Sequence, residues 1–198
     1  MSDSDLILAS ASPRRAALLA QIGVNFTVAP ANIDESQRHG ESAVDYVTRM
    51  AVEKAAAGRV DQQQGIAVLG ADTAVVCDQQ VFGQPIDRSD ARRMLLALSD
   101  KTHNVLSAVA VDNGIDRCML LSETQVTFRP ISVQDCDNYW QTGEPRGKAG
   151  GYAIQGFGAI FVAHLQGSHS GVVGLPIAET EVLLKQFEIP LWQNAKAV

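Results

Sequence analysis

The chain is poor in the residues that build several common kinds of site. Only three cysteines occur in 198 residues, Cys77, Cys118 and Cys136, an odd number without Cys-x-x-Cys spacing. That excludes a thiolate metal cluster and a disulfide framework, and fits reduced thiols in a cytoplasm. The four histidines, His39, His103, His164 and His169, lack zinc-ligand spacing, so a metal here is expected to be a hard cation on oxygen ligands. No apolar run is long enough to span a membrane, and Leu6-Ile7-Leu8-Ala9 near the acidic start is too short for a signal peptide. Basic residues (16) are outnumbered by acidic ones (22), giving a net charge of -6 with no block of like charge. A broad nucleic-acid-binding face is therefore not expected, whereas a local site for a small anion is. The Walker A loop, the dinucleotide Gly-x-Gly-x-x-Gly and the Gly-x-Ser-x-Gly elbow are all absent. Ser10 and Ser12 have no histidine or lysine nearby in sequence to activate them, which makes nucleophilic serine catalysis the weaker reading.

What is present begins at Ser10-Ala11-Ser12-Pro13-Arg14-Arg15. The preceding apolar run reads as a buried strand. Ser12 suits a helix N-cap and Pro13 the first helical position, with Leu18, Leu19 and Ile22 inward and Gly23 as the stop. Arg14 and Arg15 then sit in the first turn, where the helix dipole makes each cation cost about 0.3–1 kcal/mol. A bound anion turns that cost into a gain, so the segment reads either as a phosphate site or as two solvated arginines.

A length of 198 residues is enough for one sizeable core or two small lobes, and a hydrophobic content of 46% implies a packed globular chain rather than a disordered one. Glu41 to Ala57 reads as a helix with Val44, Val47 and Ala51 on one face, and Lys54 falls on that face beside Val47. A lysine there either snorkels to the surface, the commoner case, or meets an anion. Ile66 to Leu69 reads as a strand leading into Gly70-Ala71-Asp72-Thr73 and Ala74 to Cys77. Asp87 to Leu98 reads as a helix with Ala91, Met94, Leu95 and Leu98 inward. Val105 to Val111 and Met119 to Phe128 read as a hairpin around Asp112-Asn113-Gly114. Ser132 and Asp135 form a capping box for a helix to Gln141. Gly143 to Gly158 is glycine-rich and irregular, Ala159 to Leu165 a strand, Ser168 to Gly174 a loop and strand, and Pro176 to Phe187 a last helix. Trp192 is expected to pack against the body of the protein. Alternating strands and helices with at least one hairpin argue for an α/β fold with a mixed sheet and flanking helices, and a central cleft between two lobes would bring the first helix and the distant glycine-rich segment together.

Asp72 is the second strong feature. A carboxylate within the apolar run Val68 to Val76 is costly to bury unless paired. Small neighbours leave room for a ligand, so Asp72 reads as a metal ligand or general base at a strand end, or as a turn aspartate bonded to backbone. Asp34 and Glu35, in the loop after Phe26-Thr27-Val28, read either as a second carboxylate for a magnesium-like ion or, the commoner case for acidic loop residues, as solvated side chains. Lys148 lies in a flexible glycine-rich loop suited to phosphate, and Gln155 in Tyr152-Ala153-Ile154-Gln155-Gly156 offers a donor and an acceptor side by side, suited to a base edge; each reads equally as a surface loop residue.

Taken together, Leu8 to Arg15, Gly70-Ala71-Asp72-Thr73, the stretch Lys148 to Gly156 and Val173-Gly174-Leu175-Pro176 resemble the Maf family of nucleoside triphosphate pyrophosphatases, once described as septum-formation inhibitors. The motifs occur in order across nearly the whole chain. The resemblance implies a single Maf-like domain over residues 1–198 and divalent-cation-dependent (Mg or Mn) hydrolysis of a nucleoside triphosphate to monophosphate and pyrophosphate. It implies Asp72 as proton acceptor; the residues themselves also suit Asp72 and Glu35 as metal ligands, and Asp72 either ligates the ion or takes the proton of the attacking water. Ser10, Arg14, Arg15, Lys54, Thr73, Lys148 and Gln155 are then the substrate-binding residues. Arg14, Thr73 and Gln155 match the branch resembling dTTP/UTP pyrophosphatases, whereas the 7-methyl-GTP branch has Trp where Arg14 stands. Gln84 and His169 depart from the family pattern, Gln84 standing where a phosphate-binding lysine is usual; Ser99-Asp100-Lys101-Thr102-His103 also departs at Asp100. A cytoplasmic enzyme, a nucleotide as partner, no nucleic acid, no membrane and a homodimer are the accompanying expectations. A non-catalytic nucleotide sensor that arrests division is the rival reading.

Overall fold

The computed structural model describes residues 4–59 and 66–193. In chain order the elements are β1 (Leu6–Leu8), α1 (Pro13–Gln21), β2 (Phe26–Val28), α2 (Ala43–Arg59), β3 (Ala67–Cys77), β4 (Gln80–Phe82), α3 (Arg88–Leu98), β5 (Thr102–Asp112), β6 (Arg117–Phe128), α4 (Val133–Gln141), β7 (Val162–Gln166), α5 (His169–Val173) and α6 (Ile177–Gln186). Short 3₁₀ turns occupy Ala149–Gly151 and Phe157–Phe161. The strand order is β2-β1-β3-β5-β6-β7, with β4 paired to β3. β1 runs parallel to both β2 and β3, while β3–β4 and β6–β7 are antiparallel. The fold is the expected α/β class with a mixed sheet.

The chain divides into two compact units. Of the described residues, the first takes those within Met1–Asp72, Ser107–Ser122 and Gly174–Val198; the second takes Thr73–Leu106 and Glu123–Val173. In the first, all three residues of β1 are buried, as expected of a parallel strand covered on both faces. Leu6, Leu8, Leu19, Met50, Leu69, Leu183 and Leu184 are fully enclosed, and Ile7, Ala9 and Val68 form a small apolar cluster under Ala29, Ala31 and Ile66. In the second, α3 packs against α4, burying Ala91, Met94, Leu95 and Leu98 as their helical spacing requires. Asp87 caps α3 by accepting from the Asp90 N–H, and Ser132 with Asp135 makes both bonds of a capping box on α4.

Several local expectations are corrected. Residues 66–77 are not a strand broken by a turn: β3 runs unbroken through Asp72, so the turn-aspartate reading falls. The extended backbone there is held by pairing to β1 on one stretch and β4 on the next. Val44 is exposed, because α2 turns Val47, Met50, Ala51, Lys54 and Ala55 inward instead. The strand expected from Ala159 begins only at Val162, since Phe157–Phe161 is a 3₁₀ turn. Residues 169–173 form a helical turn rather than a strand, capped by the Ser168 hydroxyl, which accepts from the Gly171 N–H. Trp192 is exposed; its backbone N–H, rather than its ring, ties the chain to the Ile22 carbonyl.

Candidate active site

The first unit gathers six of the residues singled out from sequence: Ser10, Arg14, Arg15, Glu35, Lys54 and Asp72. β1 ends at Leu8, and the chain turns through the buried Ser10 into α1. Ser12 is the N-cap and Pro13 the first helical residue, yet the Ser12 hydroxyl makes no capping bond. The Ser10 hydroxyl oxygen instead accepts from the Ser12 N–H (3.2 Å) and from Arg15 Nη1 (3.1 Å). Arg15 also donates through Nε to the Gly174 carbonyl (2.8 Å). The guanidinium is thus fixed by its own strand end and by a distant glycine before Arg15 meets any ligand. Arg14 occupies the same first turn and is partly buried. Burial pulls the guanidinium pKa of both arginines down, and for Arg15 the neighbouring Asp72 opposes that pull.

Gly70 sets the distance between β3 and α2. A Cβ there would run into the Ala51 carbonyl and lie 2.5 Å from the Ala55 nitrogen, so only glycine permits this approach of strand to helix. The approach carries Lys54, one helical position before Ala55, to Asp72, two strand positions after Gly70. Both are buried, at 6% and 7% exposure. Lys54 Nζ donates to Asp72 Oδ1 at 2.8 Å and lies 2.9 Å from Glu35 Oε2. The snorkelling reading of Lys54 is therefore corrected: its ammonium is enclosed because two carboxylates compensate it. Burial raises the Asp72 pKa; Lys54 and Arg15 work against the rise.

Glu35 is exposed, and its loop is held by residues that sequence reading did not single out. Tyr46 donates its hydroxyl to the Glu35 carbonyl (2.9 Å). Arg49 donates to Glu41 through Nε (2.6 Å) and Nη2 (2.7 Å), and through Nη2 also to the Ser36 carbonyl (3.0 Å). That fork holds Glu41 down to about 2, chiefly through the Arg49 hydrogen bonds. Tyr46 is pushed up to about 12, first by burial and then by the negative charge of Asp72 and Glu35. The i,i+4 pair Arg49–Glu53 is visible in sequence, but the Arg49–Glu41 fork depends on how the loop folds back. Asp34 faces solvent and accepts from the Ser36 N–H (2.9 Å), a local turn bond rather than a site contact.

Thr73, Lys148 and Gln155 belong to the second unit. Thr73 follows Asp72 on β3 and is partly buried. Lys148 donates to the Arg146 carbonyl (3.1 Å) just before the 3₁₀ turn Ala149–Gly151. Gln155 is exposed in a turn closed by the Gly156 N–H on the Ala153 carbonyl (3.2 Å).

For a divalent cation the donor set is suitable. Glu35 Oε2 and Asp72 Oδ1 both lie within hydrogen-bonding distance of one cationic atom, Lys54 Nζ, so two hard oxygen ligands converge. Among the described residues no group of three or more His, Cys, Asp or Glu side chains is placed to hold a metal. Two carboxylates suffice for magnesium when phosphate oxygens and water complete the shell. No helix among the described residues is long and apolar enough to cross a membrane.

A family model described as Maf-like protein matches residues 5–187 of this chain. A protein of Saccharophagus degradans named dTTP/UTP pyrophosphatase is 50% identical over 196 residues, covering 98% of this chain and 93% of that protein. One of the same name from Pseudoalteromonas atlantica is 52% identical over 188 residues, covering 93% of this chain and 97% of that protein. Among solved structures, the Staphylococcus aureus Ham1 protein aligns over 92% of this chain and 97% of its own, with 10% identity and a TM-score of 0.49.

Proposed function

This chain belongs to the Maf family, and we propose that it hydrolyses dTTP and UTP to the nucleoside monophosphate and pyrophosphate. The observation that carries the chemistry is the buried Lys54–Asp72 pair with Glu35 on the same ammonium. The pyrimidine preference rests on the two relatives of about 50% identity that bear the name dTTP/UTP pyrophosphatase, together with Arg14, Thr73 and Gln155.

In this reading Asp72 accepts the proton of the water that attacks the α-phosphorus. Burial makes its carboxylate a stronger base than one in water. Ser10, Arg14, Arg15 and Lys54 of the first unit bind the triphosphate and stabilise the charge that builds on the departing pyrophosphate. Arg15 is already oriented by Ser10 and the Gly174 carbonyl, so little reorganisation accompanies binding. Thr73 and Gln155 read the base; a uracil or thymine edge presents acceptor, donor, acceptor, and a glutamine amide matches two of these. Glu35 would hold magnesium or manganese, with Asp72 as second ligand in the alternative in which it orients the water rather than taking its proton; the ion when bound neutralises phosphate oxygens and acidifies water. The three cysteines are free thiols, consistent with action on free nucleotides in the cytoplasm.

The test is a panel of nucleoside triphosphates with magnesium or manganese, assayed separately for pyrophosphate and orthophosphate. Pyrophosphate from dTTP and UTP, with little from purines, is expected. Pyrophosphate chiefly from 7-methyl-GTP would keep the reaction and overturn the base assignment. Nucleotide binding without any release would leave the sensor.

A further inference from the structure

Gln155 sits on a turn whose two flanks are held by one pair of side chains, Tyr139 and Glu144. Before the turn, the Ala153 N–H donates to the Tyr139 hydroxyl oxygen at 3.0 Å. After it, the N–H groups of Phe157 and Gly158 donate to Glu144 Oε2 (3.0 Å) and Oε1 (2.9 Å). The Tyr139 hydroxyl closes the circuit by donating to Glu144 Oε1 at 2.7 Å. A single carboxylate therefore accepts three hydrogen bonds, and through Tyr139 it governs both ends of a turn only a few residues long.

The surroundings are built for this contact. Tyr139 is 3% exposed, so its hydroxyl has no free access to water. Its ring stands edge-on to Phe161, with centroids 5.1 Å apart. A Cβ at Gly156 would collide with the Glu144 carboxylate, and one at Gly158 would lie 2.7 Å from the Tyr139 hydroxyl. The two glycines are thus what lets the clamp approach the backbone. Ile154 is buried while Gln155 beside it is exposed, so the turn is anchored by one side chain and presents the next. The three bonds outweigh the burial of Glu144 and leave its pKa below the usual carboxylate value.

We propose that Glu144 and Tyr139 are positioning residues for base selection: they lock the Ala153–Gly158 turn so that the Gln155 amide is presented in one orientation. The proposal rests on the reading of Gln155 as the base-contacting residue. A glutamine side chain gains selectivity from holding its donor and acceptor in register with a base edge, and a mobile turn would surrender that register before it surrendered phosphate binding.

The experiment compares wild type with Glu144→Ala, Glu144→Gln and Tyr139→Phe. The readouts are KM and kcat for UTP, CTP and GTP, inhibition by inorganic tripolyphosphate, and amide exchange across residues 153–158. In Glu144→Ala and Tyr139→Phe, the UTP KM is expected to rise at least tenfold while kcat changes little. The preference for UTP over CTP should fall by a similar factor, tripolyphosphate inhibition should stay within twofold, and exchange should accelerate at the turn. Glu144→Gln, which keeps one carbonyl acceptor, should recover part of the preference. Faster exchange at the turn with unchanged nucleotide preference would overturn the proposal. So would an equal loss for all three nucleotides and for tripolyphosphate. If Glu144→Ala does not fold, Tyr139→Phe decides, because it removes one oxygen atom and keeps the ring. A wild-type enzyme without preference for UTP would instead defeat the base assignment of Gln155, and the preference arm would show this before any variant was compared.

Discussion

Lys54 Nζ and Asp72 Oδ1 lie 2.8 Å apart, both enclosed, with Glu35 completing a carboxylate–ammonium–carboxylate arrangement. The pair joins a helix to a strand at the point where Gly70 allows the two backbones to approach. It also holds Asp72, the proposed general base, beside the cation proposed to meet phosphate. Structure and chemistry are therefore carried by the same contact, and substitutions on either side should separate them.

Asp72→Asn keeps the shape and removes the proton acceptor. Turnover is expected to fall by at least a thousandfold, the scale of losing a general base together with charge complementarity. Nucleotide binding, measured by calorimetry with a non-hydrolysable analogue, should persist. Normal turnover in this variant would remove Asp72 from the reaction.

Lys54→Met leaves the Asp72 carboxylate buried without its ammonium. Breaking one side of a buried pair costs about 3–5 kcal/mol, read as a shift in the urea midpoint. The double variant Lys54→Met with Asp72→Leu should recover much of that loss, because it removes both charges. Recovery of stability without recovery of activity is the expected pattern; a single variant as stable as wild type would show the pair to be of no consequence for folding.

Arg49→Met releases the Ser36 carbonyl and the Glu41 fork, and with them the backbone next to Glu35. Partners that orient a ligand residue typically contribute about 10–100-fold to metal affinity or activity. The manganese concentration for half-maximal turnover is expected to rise by about tenfold with little change in the unfolding midpoint. An unchanged metal dependence would mean that Glu35 needs no support from this loop.

His103 makes one contribution to the pH dependence of stability. It is 2% exposed, its Nε2 meets the Tyr152 hydroxyl at 2.9 Å, and its Nδ1 has no partner among the described residues. Burial lowers it from 6.5 to about 4. The unfolded chain therefore binds a proton between those values that the folded chain refuses. This contribution is fully present above pH 6.5 and is lost as pH falls toward 4, amounting to about 3 kcal/mol. Urea midpoints of wild type and His103→Gln at pH 7 and pH 4.5 test the sign: wild type should lose more on acidification than the variant.

Much of the proposed phosphate end was legible in the sequence, since its elements are local. Strand, N-cap, proline and paired arginines lie within ten residues, and apolar periodicity placed Lys54 on the inward face of α2. Asp72 stood out because a carboxylate in an apolar run needs a partner. The identity of that partner was not legible. Lys54 is separated from Asp72 by 18 residues, and no local pattern distinguishes a lysine that snorkels from one enclosed by carboxylates.

Short-range physics thus determined the elements, their caps and the chemical character of the candidate residues, because hydrogen bonding and side-chain periodicity act over a few positions. Only the tertiary structure decided which charges are paired, since pairing depends on backbones brought together by remote contacts: Gly70 against α2, Arg15 on the Gly174 carbonyl, Arg49 on Glu41. The turn of Gln155 shows the same division. Its glycines were visible as a flexible stretch, yet the fold makes Gly156 and Gly158 the openings through which Glu144 and Tyr139 hold that stretch in place. Glycine marks freedom in a sequence, and in a folded chain it marks where another group has come close enough to remove that freedom.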